Sequence, residues 1–381
     1  MGPLQGVTII ELAGLGALPF ATLKLADMGA DVIRVHPTHE VPDDKPTHRD
    51  SEFDRGRRSI AIDLKSPEGV EVLLRLAEKA DAFVEAFRPG VTERLGIGPD
   101  VLLARNPRIV YGRLTGWGQT GPLAPWAGHS LNYEAITGAV GSIGVPGQKP
   151  PPLLQVLGDF GGGGMHMAFG VACALFEAQR SGEGQVVDVS MTEGVMSLYS
   201  VFYSMTQMGV HDGPLGSNLF DGGSPFYNTY ETSDGRYITL APIEPKFYAQ
   251  LLEHLGLDPA ELPAQYDESR WPELTGRIAE VVRTKTRDEW TAQLEGTDVC
   301  FAPVLSFAEA TEHPQNVARG SFVDVPGSIK QLRPAPLMSR TPGEVRATYA
   351  YPGVDTAAVL GEAGFGTEEI TALNEAGTVA W

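Results

Sequence analysis

Along the first third of the chain, short β-branched apolar runs alternate with longer amphipathic ones. Residues 7–12 (Val-Thr-Ile-Ile-Glu-Leu) read as a strand ended by Gly14 and Gly16, Pro19 then opens a helix to about residue 28, and residues 31–35 (Asp-Val-Ile-Arg-Val) read as a second strand. Strand, glycine-rich turn, helix, strand is a βαβ unit, which implies a parallel sheet. The pattern predicts further strands at 59–63, 82–85, 109–114 and 186–189, and helices at 67–79 and 165–179.

Past residue 225 the period changes. Residues 227–231 and 236–241 alternate around Thr232-Ser233-Asp234-Gly235, a hairpin with an Asp-Gly turn, so pairing becomes antiparallel. Helices follow at 245–255, 271–283 and 287–294, the last opened by the capping box Thr286-Arg287-Asp288-Glu289. A smaller second domain is therefore placed at 225–305. Gly and Pro thicken over 304–345, and the tail from Asp355 reads as two short helices. The chain shows neither an internal repeat nor a low-complexity tract.

A length of 381 residues allows two domains or one elaborated α/β unit, and 42% hydrophobic residues suffice for a sizeable core. Acidic residues number 48 against 29 basic, a formal charge of −19, and no basic run offsets them, which argues against nucleic acid as a partner. A small anion would bind only where a few Arg or Lys gather. Cys173 and Cys300 are too few and too far apart for a disulfide framework or a metal knuckle, so the chain reads as cytoplasmic. The opening Met1-Gly2-Pro3-Leu4-Gln5-Gly6 has no targeting signature. Glu11, Lys24, Asp27 and Asp31 interrupt the apolar stretch 7–35, so no membrane span is expected.

Gly14-Leu15-Gly16-Ala17-Leu18-Pro19 lies where a dinucleotide fingerprint would, but Pro19 replaces the third glycine and Arg34 stands in the strand that should end in an acid, which disfavours NAD. Arg34, Arg55, Arg57, Arg58, Lys65 and Arg88 all fall near predicted strand ends, where they can gather as an anion site; singly, each is ordinary surface charge. Asp159 precedes Phe160-Gly161-Gly162-Gly163-Gly164 and a helix. Alone it reads as a turn or N-cap acid, kept ionised by the helix end, but four glycines exceed what a cap needs and suit a backbone lying close to a ligand. His129, in the Pro-rich loop 121–129, is either a solvated loop residue or a proton exchanger near neutral pH. Glu244 is either a first-turn helix acid or a site residue. His166 reads as packed or capping, and His36, His39, His48, His211, His254 and His313 as lying in polar surroundings. Zinc-site spacings and a Gly-x-Ser-x-Gly elbow are both missing. Residues 195–208, with Met196, Met205 and Met208, read as helix packing adaptable enough to line an acyl chain.

Taken in order, Glu11-Leu12-Ala13-Gly14, Ala30-Asp31-Val32-Ile33-Arg34-Val35, Asp63-Leu64-Lys65-Ser66, Arg88-Pro89-Gly90-Val91, Thr115-Gly116-Trp117-Gly118-Gln119-Thr120-Gly121-Pro122, Gly128-His129, Gly158-Asp159-Phe160-Gly161-Gly162-Gly163, Asp221-Gly222-Gly223 and Ile243-Glu244-Pro245 resemble the class III CoA-transferase superfamily over almost the whole chain. His129, Asp159 and Glu244 together resemble its racemase branch.

The resemblance implies an α/β fold. A large Rossmann-like domain (1–190, completed by 330–381) would be joined by linkers at 191–224 and 306–329 to the small α+β domain, and two chains would interlock as rings, with Glu244 of one serving His129 and Asp159 of the other. It places CoA along Arg34, Leu64, Lys65 and Arg88, with Gly161 and Gly162 near the thioester. The implied reaction inverts the carbon beside an acyl-CoA thioester by two-base proton transfer, with no metal or redox cofactor. The rival within the superfamily is CoA transfer with Asp159 as nucleophile; a non-catalytic acyl-CoA binding protein is the third reading. Ser130 (where Asp is usual), Gln155 and Asn228 depart from the pattern, as does Gly16-Ala17-Leu18-Pro19.

Overall fold

The structure, a computed structural model, describes residues 2–47, 51–325 and 328–381; His48 therefore lies outside the described residues. Strand β1 (Thr8–Leu12) carries Ile9 into one helical layer and Ile10 and Leu12 into the other, so it is buried on both faces, as a central parallel strand must be. Chain order continues with α1 (Ala17–Asp27), β2 (Asp31–His36), β3 (Arg57–Ile62), α2 (Pro67–Ala77), β4 (Ala82–Glu85), α3 (Val91–Arg94), α4 (Pro99–Arg105), β5 (Val110–Thr115) and α5 (Ser130–Ala135). A π-helix (Val156–Met165) runs directly into α6 (His166–Ser181), followed by β6 (Val186–Ser190) and α7 (Met191–Leu198).

The strands lie in the order β3-β2-β1-β4-β5-β6, all parallel. That is the order of a doubly wound α/β sheet, whose ligand crevice opens beyond the C-terminal ends of the strands where the order reverses, here between β1 and β4. Leu18, Ala21 and Leu25 of α1 and Met167, Val171 and Leu175 of α6 pack on one face; Leu73 and Leu76 of α2 and Leu102 of α4 pack on the other.

The remaining helices and strands are α8 (Ser200–Gln207), β7 (Asn228–Glu231), β8 (Tyr237–Leu240), α9 (Pro245–Leu255), α10 (Trp271–Val282), α11 (Arg287–Leu294), β9 (Phe301–Pro303), α12 (Phe307–Glu312), α13 (Pro314–Ala318), β10 (Phe322–Val323), β11 (Gln331–Leu332), α14 (Thr356–Glu362), α15 (Thr367–Glu375) and β12 (Val379–Ala380). Two compact units result: Met1–Thr137 with Leu153–Leu198 and Gly320–Trp381, and Gly138–Pro152 with Tyr199–Arg319. Residues 138–152 and 199–224 thus go with the second unit and 191–198 with the first, whereas the sequence reading kept 138–152 in the large domain and made 191–224 a linker. In the first unit, β12 adds antiparallel to β3, and Val359, Leu360 and Ile370 of the tail helices join the core beside α2. In the second, the antiparallel β7-β8-β9 sheet packs Tyr230, Ile238 and Leu240 against Leu251 of α9, Ile278 of α10 and Trp290 of α11. The expected capping box at Thr286 and Glu289 is present. Among the described residues, no helix is long and apolar enough to cross a membrane.

Candidate active site

The crevice at the strand reversal is an open cavity of about 510 Å³. Its wall comes from the loop after β1 (Leu15, Gly16), the loop after β4 (Phe87, Arg88), the end of β5 with Trp117, and His129, Tyr133 and Asp159. Two residues that lie 30 apart in sequence, His129 and Asp159, are thereby brought to one space.

Segment 128–135 explains how His129 is held. The exposed His129 is the N-cap of α5, and its N–H donates to Asn132 Oδ1 at 3.0 Å. One turn on, the Tyr133 hydroxyl donates to the Gly128 carbonyl, and the Tyr133 ring meets Trp117 edge-on at 4.7 Å. The backbone on both sides of the imidazole is therefore fixed while its ring faces the open cavity.

Asp159 sits in the first turn of the π-helix, not at the turn or N-cap that the sequence suggests. The chain enters this helix through two left-handed non-glycine residues, Leu154 (φ 59°) and Gln155 (φ 62°), a strain of about 1–3 kcal/mol each that the surrounding packing must offset. The half-buried carboxyl lies against Gly16, where a Cβ would come within 2.8 Å of Oδ2; Gly16 also has φ +67°. The positive φ favours glycine there, and the missing Cβ leaves the carboxyl room. The Asp159 carboxyl is held above its ordinary range, first by burial and then by the charge of Glu134, with His129 opposing. The sequence reading expected a helix end to favour the ionised form; the direction of the shift is the opposite.

Glu134 had no signal of its own in the sequence beyond its spacing four residues after Ser130. It is 1% exposed and accepts at Oε1 from Ser130 Oγ (2.7 Å) and from the Gly158 N–H (2.8 Å). Ser130 Oγ in turn accepts from the Asp159 N–H at 3.1 Å.

The glycine run packs against neighbouring helices. A Cβ on Gly162 would strike the Met191 carbonyl and Val195 of α7, and one on Gly164 would strike Phe20 and the Ala17 carbonyl of α1. Gly161 packs on Leu198, and its carbonyl takes the His166 Nδ1 bond at 2.9 Å. The glycines let three helices approach at backbone distance.

Arg34, expected at an anion site, has its guanidinium engaged within the chain. It is buried, with Nη1 on Asp54 (2.6 Å) and Nη2 on the Gly14 carbonyl (2.7 Å), so it braces the β1–α1 loop. Arg57 is spent on Glu11 (2.8 Å), Arg55 on Asp27 (2.7 Å) and Arg58 on Asp31 (2.5 Å). These cations pair with acids of β1, β2, the end of α1 and the turn before β3, so their charges are matched one by one within the chain.

Lys65 and Arg88 remain exposed, and among the described residues neither side chain has an ion-pair partner. Lys65 and Leu64 line a second cavity of about 330 Å³ beyond β1, β2 and β3, with Val35, His36, Ile62 and Leu95; Phe87 lines both cavities. His36 lies in the polar surroundings expected of it, but buried. It is 5% exposed, its Nδ1 is 2.7 Å from Glu40 Oε2, and burial lowers its pKa. Glu244 belongs to the second unit, where it is exposed and caps the N-terminus of α9 through its backbone position.

The profile of CoA-transferase family III matches residues 4–356. The alpha-methylacyl-CoA racemases of Mus musculus and Homo sapiens are 45% and 42% identical to the chain, each over 97% of it and 96% of their own length. A succinyl-CoA–D-citramalate CoA-transferase of Chloroflexus aurantiacus is 31% identical, covering 90% of the chain and 89% of the relative. The crystal structure of a CaiB/BaiF family protein from Brucella suis matches with a TM-score of 0.81 at 26% identity, covering 95% of this chain and 99% of that one. From matches of this extent, the chain belongs to CoA-transferase family III.

Proposed function

We propose that the protein is an isomerase that interconverts (R)- and (S)-2-methylacyl-CoA thioesters. The observation that carries this reading is the convergence of His129 and Asp159, two proton carriers of different environment, on one cavity at the sheet's ligand crevice. The identity to racemases over nearly the whole chain supports it.

The α-proton of a thioester is acidified by the carbonyl, and its loss gives an enolate. Inversion needs a base on one face of that carbon and an acid on the other. His129, exposed and with its backbone fixed by Asn132 and Tyr133, takes the proton in one direction. Asp159, half-buried on the same cavity wall, returns a proton on the opposite face; in reverse the roles exchange. Donors for the enolate oxygen come from backbone N–H groups of the cavity wall, where the first turn of α1 after Gly16 lacks intrahelical partners. Every step is a proton transfer, so the reaction as written needs neither a metal nor a redox group.

The CoA moiety would extend from this cavity past Phe87 to the second one, with Arg88 and Lys65 meeting its phosphates and the apolar wall of Val35, Leu64 and Leu95 meeting its adenine. Arg34 supports this path indirectly by fixing the first loop. Two copies of the chain would interlock, and Glu244 of one would orient His129 of the other, as a carboxylate does for a histidine base. Consistent with association, Met165 at the end of the π-helix and Phe169, Cys173 and Phe176 of α6 form an exposed, largely apolar stripe.

The test is proton NMR of 2-methyldecanoyl-CoA with the protein in D₂O, followed by chiral analysis of the recovered acid. Loss of the α-proton signal with inversion is expected. A persistent α-proton while added succinate acquires CoA would replace the reading with CoA transfer through Asp159.

A further inference from the structure

The first turn of the π-helix is tied to α5 by side chains that the two-base scheme does not use. The Asp159 N–H donates to Ser130 Oγ, Ser130 Oγ donates to Glu134 Oε1, and the Gly158 N–H donates to that same oxygen. A Cβ on residue 158 would lie 2.4 Å from Ser130 Oγ and 2.8 Å from Glu134 Oε1, so Gly158 leaves just the space these two side chains fill. Glu134 is nearly inaccessible, and among the described residues no Lys, Arg or His is paired with it.

A buried carboxylate without a cation is costly, and three hydrogen bonds within this small ring explain how it is accommodated without explaining why it is there. A Gln or Leu on α5 would pack the same space at lower cost. What only a carboxylate supplies is negative charge close to Asp159.

We propose that Glu134, acting through Ser130, is a positioning residue for proton transfer: it fixes the Gly158–Asp159 backbone and tunes how readily the Asp159 carboxyl gives up its proton. This rests on the two-base reading of the site.

The surroundings of Asp159 are consistent with the assignment. α5 presents His129, Tyr133 and Glu134, and the loop after β4 presents Arg88. The first turn of α1 has no acid, α7 carries only the exposed Glu193, α6 offers His166, bonded to the Gly161 carbonyl, and β6 carries Asp188, whose charged neighbour is Arg113. Burial acts first on the Asp159 carboxyl, and of these charges Glu134 is the one that adds to it, while His129 acts in opposition. Tyr133 shows the same coupling from its side, raised by burial and then by Asp159.

Two variants test the proposal. Glu134→Gln keeps an acceptor for Ser130 and Gly158 but removes the charge; Ser130→Ala keeps the charge but cuts the link to the Asp159 N–H. The Asp159 carboxyl is followed by ¹³C NMR titration of the free protein, assigned by its absence in Asp159→Asn, alongside the pH profile of kcat/KM for α-proton exchange. In Glu134→Gln the Asp159 titration moves to lower pH, and so does the limb of the profile on which Asp159 must be ionised. In Ser130→Ala that midpoint stays within error and kcat falls about tenfold or more with KM nearly unchanged, the effect of a misaligned carboxyl. An Asp159 midpoint unmoved in Glu134→Gln, or wild-type kcat in Ser130→Ala, overturns the proposal. The NMR reading does not depend on turnover, so a wild-type protein that exchanges no α-proton would remove the two-base reading while the Glu134 effect on Asp159 still registers.

Discussion

At the scale of single residues, the two proposed proton carriers differ in what holds them. His129 is exposed, and its alignment comes from Asn132 and Tyr133 bonding the backbone around it. Replacing it removes the base without disturbing the fold. His129→Ala should therefore lower α-proton exchange at least about a hundredfold, with acyl-CoA binding retained by equilibrium dialysis. Asp159 is different because its folded-state pKa is raised. The cost of keeping it ionised is absent below the ordinary carboxylate pKa of 3.8 and present in full once pH exceeds the raised folded value. Asp159→Asn should thus be inactive yet melt higher than wild type at pH 8, and the difference should shrink as pH is lowered toward 4. A constant difference in Tm across that range would contradict the assigned burial.

At the scale of elements, the site depends on a π-helix packed against α1 and α7 at backbone distance. A Cβ on Gly194 of α7 would lie 1.9 Å from the Gly162 carbonyl oxygen, and backbone cannot yield as a flexible side chain can. Gly194→Ala is expected to destabilise by about 2 kcal/mol or more, read from the urea midpoint, and to lose exchange activity because Asp159 rides on the displaced helix. The same close packing accounts for the buried strand-end network. Glu11, Thr22 and Arg57 form a bonded group between β1, α1 and β3, and Arg34 joins the Gly14 carbonyl to Asp54. These pairs hold the β1–α1 loop that forms one wall of the cavity. Glu11→Ala, which leaves Arg57 buried without its carboxylate, should cost about 3–5 kcal/mol, again by urea unfolding.

At the scale of the whole molecule, the proposed chemistry needs residues from two copies of the chain. Co-expressing His129→Ala with Glu244→Ala subunits should produce dimers in which one composite site is intact, and these should recover a measurable fraction of wild-type exchange. Inactive mixed dimers from soluble parents would argue against a shared site. Phe169→Glu on the exposed α6 stripe places charge where the proposed association needs apolar contact. It should shift the protein toward monomer in size-exclusion chromatography with light scattering.

Local pattern determined the elements of this protein. β-Branched runs at β1, β2 and β6, the Pro67 and Pro245 helix starts and the Thr286 capping box act within a few residues, so their outcome is written in adjacent positions. The candidate residues His129, Asp159, Lys65 and Arg88 were legible as residue types in a family order. Their environments were not. Whether Arg34 meets solvent or Asp54, and whether four glycines meet a ligand or a neighbouring helix, depends on chain segments tens of residues away. The same holds for Glu134, an ordinary helix acid by sequence, which becomes a buried neighbour of Asp159 only when the π-helix docks on α5. Burial and charge pairing are sums over everything that packs around a group, and only the tertiary structure performs that sum.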